Sequence, residues 1–199
     1  MHRVFISYHH DNDQAYKDAL VRFGKENNIF EDWSVDTGDI SEDLTDEQIR
    51  VKIRDEYLKE SSVTIVLVGT ETKHRKHVDW EIYSSMFDGK KNKKSGIVVI
   101  NLPSVNCEYY TASHDGEKEI VFPENTEWCT ITERTEFERR YPYMPERIID
   151  NLKKRGAYIS VISWEKLNAR KLQYMIDCAY NDRTSCDYDM SRPMRRRNS

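Results

Sequence analysis

No apolar run in this 199-residue chain approaches the length that crosses a bilayer, and the opening "MHRVFISYHH" lacks the apolar stretch of a secretory leader. These absences predict a cytoplasmic protein with no membrane partner. Neither sign of charge dominates: 31 basic and 35 acidic residues leave a net charge of −4. Nothing steers such a molecule to a polyanion, so no nucleic-acid partner is expected. The four cysteines, Cys107, Cys129, Cys178 and Cys186, form no CxxC pair and no zinc-ligand spacing, which fits reduced thiols. The chain has no GxGxxG, no Walker sequence and no GxSxG elbow, and no His or Cys in a recognisable triad arrangement. Adjacent His9 and His10 in "HHDND" point to opposite sides of an extended chain and make poor shared ligands. No metal site is expected.

What is present describes a folded α/β domain. A 38% hydrophobic share is too apolar for disorder, and the length suits one well-cored domain. Short runs rich in β-branched residues predict strands at "RVFISY" (3–8), "IFEDWSV" (29–35), "SVTIVLVG" (62–69), "GIVVINL" (96–102) and "AYISVIS" (157–163). Helices are expected between them. One is capped by Asp11 or Asp13, one opens on a Thr45–Gln48 capping box, one runs from about Lys76 to Phe87, one covers 145–156, and the last follows Ser163 as its cap. Strands alternating with helices force a parallel sheet between helix layers. Region 103–144 interrupts the alternation, and "KEIVF-PENT-EWCTIT" within it reads as an inserted hairpin. The domain is expected to cover 1–185, with a basic, flexible tail at 186–199 carrying "RPMRRRN".

In an open α/β sheet the ligand crevice lies beyond the carboxyl ends of the strands. Those ends are Ser7 to His10, Asp36 to Gly38, Gly69 to Thr72, and Asn101. The helix in "KHRKHVDWEIYSSMF" (73–87) adds a carboxylate. Val78, Ile82 and Met86 form one strip at helical spacing, and His77, Glu81, Ser84 and Ser85 the strip beside it. The second strip holds no Lys or Arg, so Glu81 is expected at the edge of the core with a gap left by the serines. From the helix alone, a functional glutamate and a capping or ion-paired one are evenly balanced.

"VFISYHHDND" and "GTETKHRKHVDWEI" together resemble the TIR-like family, nearest to its bacterial antiviral Thoeris branch of ThsB type. The resemblance covers residues 3–102 well and the remainder by element order. It implies a flavodoxin-like three-layer sandwich with a five-stranded parallel sheet. It also implies NAD as substrate, with no separate cofactor, and cleavage of the nicotinamide–ribose bond to a cyclic or modified ADP-ribose. That diffusible nucleotide signal would reach a downstream effector, and self-association is expected on activation. The family's catalytic glutamate falls on Glu81. Phe5, Ser7, Tyr8 and His9 become expected substrate contacts, with Asp36, His77 and Asn101 beside them. The 36–44 loop corresponds to the TIR loop that covers the site and mediates self-association. The sequence departs at the WxxxE pattern: His77 stands where its tryptophan would, and Trp80 immediately precedes Glu81. The alternative within the family is a scaffold without catalysis.

Overall fold

The computed structural model describes residues 1–34, 40–41, 43–89 and 92–198. Five strands build the sheet: β1 (His2–Ser7), β2 (Phe30–Asp32), β3 (Val63–Val68), β4 (Gly96–Asn101) and β5 (Ser160–Ser163). All pair in parallel, in the order β2-β1-β3-β4-β5, which is the flavodoxin-like order. The helices are α1 (His10–Glu26), α2 (Asp46–Lys52), α3 (Lys76–Met86), α4 (Glu117–Val121), α5 (Arg134–Arg140), α6 (Glu146–Leu152) and α7 (Ala169–Asp182). A single π-helical turn, Ile53–Tyr57, continues α2. No helix among the described residues is long and apolar enough to cross a membrane.

The alternation of side chains along each strand divides the core into layers. Val4, Ile6, Ile65, Leu67, Val98, Ile100 and Ile162 face Leu20 of α1 and Leu172, Met175 and Ile176 of α7. Val66, Val68, Ile97, Val99 and Val161 face Val78, Ile82 and Met86 of α3 and Ile148 and Ile149 of α6. Every residue of β3 is buried, as its unbroken apolar run requires of a central strand. Gly96 opens β4 where α7 presses closest: a Cβ there would lie 2.1 Å from the Ala179 carbonyl oxygen. Phe5 and Ser7 share the face of β1 that looks toward α3, since Val4 and Ile6 take the other. This parity positions the site.

The Thr45–Gln48 capping box forms as expected: Thr45 Oγ1 accepts from the Gln48 N–H at 3.2 Å, and the Thr45 N–H donates to Gln48 Oε1 at 2.9 Å. Other ends differ from the sequence reading. The cap of α1 is His9, whose Nδ1 accepts the Asn12 N–H at 3.2 Å, while Asp11 and Asp13 sit in the first turn. The cap of α7 is Asn168, because a 3-10 turn at Trp164–Lys166 separates Ser163 from the helix.

The expected hairpin within 103–144 is not there. "KEIVF" instead makes α4, which starts after Gly116 at φ +72° and buries Val121 and Phe122 against the α7 side. An alternating pattern over so few residues also suits a single buried helical turn. The strand-like contact of this region is an antiparallel bridge between Thr111 and Val161, with N–H···O distances of 3.0 and 2.9 Å. It covers the outer edge of β5, a place that open sheets must protect.

The C-terminal segment is docked, where a flexible tail was expected. Cys186, Tyr188 and Met194 are buried. Arg147 of α6 donates to the carbonyl oxygens of Arg192 and Pro193 at 2.8 and 3.0 Å. Arg192 pairs with Asp150 and Glu146, and Arg196 with Asp46. The basic run is thus anchored by acids that α6 and α2 supply from far away in sequence.

Candidate active site at the end of the first strand

The parity of β1 aims Ser7 at α3, where its hydroxyl donates to Glu81 Oε2 at 2.6 Å. Ser7 has no exposed surface and Glu81 only 2%. A buried carboxylate needs partners of this kind, and a hydrogen bond to a charged acceptor fixes its orientation. Glu81 lines a cavity of about 260 Å³ together with Tyr8, His9 and His10 from the end of β1, and Arg75, His77 and Val78 around the start of α3. Asp11 and Asn198 complete the lining.

Each wall has a structural cause. The chain turns from β1 into α1 at His9, which is buried and uses Nδ1 to cap the helix. The proton of the neutral ring then sits on Nε2, on the side of Asp11 Oδ2 at 3.8 Å. Burial first, and the Arg75 guanidinium second, push the His9 imidazole below its ordinary pKa, outweighing Asp11 and Glu71. Tyr8 donates its hydroxyl to Gln14 Oε1 at 2.6 Å and stacks on His10 at 4.4 Å between ring centroids.

The helix that carries Glu81 is held from outside. Asp79 takes both arms of Arg147, at 2.9 and 3.1 Å, and accepts the Arg195 N–H at 2.8 Å. Trp80 is buried among Phe5, Ile49, Ile53 and Met194, and its Nε1–H donates to the Arg195 carbonyl oxygen at 2.7 Å. Asn198 Oδ1 accepts the first helical N–H, that of Lys76, at 2.9 Å. Trp80 therefore fills the core beneath the site, and His77 stands beside it with ring centroids 5.0 Å apart, facing the cavity.

The structure brings together Ser7, Tyr8, His9, His77 and Glu81 of the residues expected in the site. Phe5 is not among them: two residues before Ser7 on the same face, it lies under Trp80 in the core. Asn101 is buried at the end of β4 and does not line this cavity; its Nδ2 has no partner among the described residues. Asp36 lies outside the described residues, as does the stretch of its loop from 35 to 39. Ser84 and Ser85 do not make the gap: both are fully buried, and Ser85 Oγ meets Thr64 Oγ1 of β3 at 2.8 Å. The cavity opens instead where β1 ends and α3 begins. Arg75 and Asn198 were missed. A cation just before a helix that follows a central strand could have flagged Arg75; nothing local marks Asn198. Among the described residues no group of three or more His, Cys, Asp or Glu is arranged to hold a metal ion.

A flavodoxin-like parallel sheet with a glutamate on the helix after β3 is what the sequence resemblance anticipated; Ser7, expected against the substrate, instead holds Glu81 and does not line the cavity. The family profile described as Thoeris protein ThsB, TIR-like domain, matches residues 5–107. The chain belongs to this family. The match runs from the second half of β1 through β4 and includes Ser7, Arg75 and Glu81, whereas the region carrying α4 and α5, β5, α7 and the docked C-terminal segment lie beyond it. A search of curated proteins finds no match. As a Thoeris TIR-like domain, the chain is an antiphage TIR protein.

Proposed function

We propose that this Thoeris TIR-like protein cleaves the nicotinamide–ribose bond of NAD and releases a cyclic or otherwise modified ADP-ribose as a signal to a separate effector. The observation that carries the reading is Glu81: a buried carboxylate, oriented by the Ser7 hydroxyl, on the wall of a cavity at the carboxyl end of the sheet. Nicotinamide leaves a cationic pyridinium as a neutral base, so no acid is needed for the leaving group. Positive charge develops on the ribose, as in glycoside hydrolysis, and water or an adenine or ribose atom of the same ADP-ribose then bonds to that carbon and gives up its proton. A preorganised carboxylate in a partly dry site stabilises that charge or holds the ribose hydroxyls. Ser7 keeps the carboxylate in place throughout. Tyr8 and His77 give the cavity flat aromatic walls suited to a nicotinamide ring. Self-association through the 36–44 loop belongs to the same proposal.

The test is mass spectrometry of nicotinamide and ADP-ribose products, made by purified protein and by cells challenged with phage. Product is expected with the native chain and its loss with Glu81→Gln. Unchanged product from Glu81→Gln would sink the assignment of that residue. Phage protection that survives Glu81→Gln would favour a scaffold over an enzyme.

A further inference from the structure

Two cavities meet at one side chain. Arg75 lines the 260 Å³ cavity of Glu81 and also a second of about 250 Å³, which runs between the start of α3, Pro145 and the docked segment at 192–195. Its Nε is buried and has no hydrogen-bond partner among the described residues, a state that an arginine fork holds at some expense unless an acceptor arrives. The acids of the second cavity are already engaged: Asp79 by Arg147, and Glu146 by Arg192. Lys73 donates to the Pro142 carbonyl oxygen at 2.7 Å. Arg75 thus sits at the junction with a donor to offer, and its field already reaches across the first cavity to His9.

We infer that Arg75 is a phosphate-binding residue, and that the substrate of the Glu81 site carries its phosphate or diphosphate at the junction of the two cavities. This rests on the reading of Glu81 as the group facing the ribose. The reacting ribose then occupies the first cavity and the phosphates lie at Arg75. The remaining nucleoside extends into the second, beside Pro145 and the backbone of 192–195. The planar guanidinium suits two phosphate oxygens at once, which a lysine ammonium does not match. Substrates without a phosphate lose this contact, so Arg75 sets a preference for dinucleotides over nucleosides.

The test is calorimetric titration of the full chain with ADP-ribose, inorganic pyrophosphate and nicotinamide riboside. Arg75→Ala is expected to weaken ADP-ribose and pyrophosphate by about 10- to 100-fold, and to leave nicotinamide riboside within about twofold. Arg75→Lys should fall between. Retained riboside binding also reports that the variant is folded. ADP-ribose binding unchanged in Arg75→Ala overturns the inference, as does equal weakening of all three ligands, or no binding of either phosphorylated probe by the native chain. Glu81→Gln separates the two assignments. If that variant still releases nicotinamide at the native rate, the glutamate reading fails while the Arg75 result stands.

Discussion

At the scale of residues, the site depends on a short hydrogen bond between two side chains with almost no access to water. Ser7→Ala removes the donor that aims Glu81 and leaves the carboxylate less well paired. Such a loss is worth about 1.5–3 kcal/mol, so nicotinamide release should fall by about tenfold or more. The fall is expected mainly in kcat, because Ser7 touches Glu81 and not the ligand cavity. Steady-state kinetics of Ser7→Ala against Ser7→Thr check this, since the threonine retains a hydroxyl. His9 adds a dependence on pH. Its folded pKa lies below the unfolded value, so the unfolded chain takes up the proton first as the solution is acidified. The stability linked to neutral His9 is therefore complete above about pH 6.5 and is lost as pH falls below it. Thermal unfolding between pH 7.5 and 5.5 should show a steeper loss in the native chain than in His9→Gln. The placement of Ser7, Tyr8, His9, His77 and Glu81 at one end of the sheet was legible, because strand ends and helical strips follow from spacing, while their roles came from the resemblance. Phe5 was misplaced because the resemblance, and not the spacing, named it as a substrate contact. Spacing tells which face of β1 it shares with Ser7, but not how far along the strand the core extends.

At the scale of elements, α3 is positioned by parts of the chain that no local pattern connects to it. Arg147 of α6 is fully buried and fastens Asp79. Removing one member of a buried pair leaves an uncompensated charge, so Arg147→Ala should destabilise the fold by about 3–5 kcal/mol. The same arginine holds the carbonyl oxygens at 192 and 193, and that change should free the C-terminal segment as well. Chemical denaturation measures the first effect, and hydrogen exchange at Trp80 and Lys76 the second. Met194 is the apolar anchor of the segment, packed in the cluster of Phe5 and Trp80. Met194→Ala is expected to cost about 2–5 kcal/mol in the same denaturation assay. The sequence offered "RPMRRRN" as a solvated tail because a short basic run near a chain end reads that way. Its partners, Asp46, Glu146 and Asp150, come from α2 and α6, and only the fold brings them together.

At the scale of the whole molecule, the architecture was legible where hydrophobic pattern decides it. Five apolar runs separated by helices leave few alternatives to a parallel sheet with both faces covered, and the order β2-β1-β3-β4-β5 puts β1 and β3 side by side at the centre. The consequence is functional. The end of β1 and the helix that follows β3 become neighbours, so Ser7 and Glu81 meet across 74 positions of sequence. The stretch from 103 to 144 was not legible, because its short segments pack individually on both sides of β5 and follow no sustained period, whereas the helix read over 145–156 is present as α6.

The most direct measurement of the central claim compares nicotinamide release by the native chain and by Glu81→Gln, both purified from phage-challenged cells and matched in thermal midpoint. A preorganised electrostatic group of this kind is worth about 10²–10³ in rate. Loss of release by that factor in a variant that unfolds at the native temperature is the result predicted. Release at the native rate from the same folded variant would contradict the account.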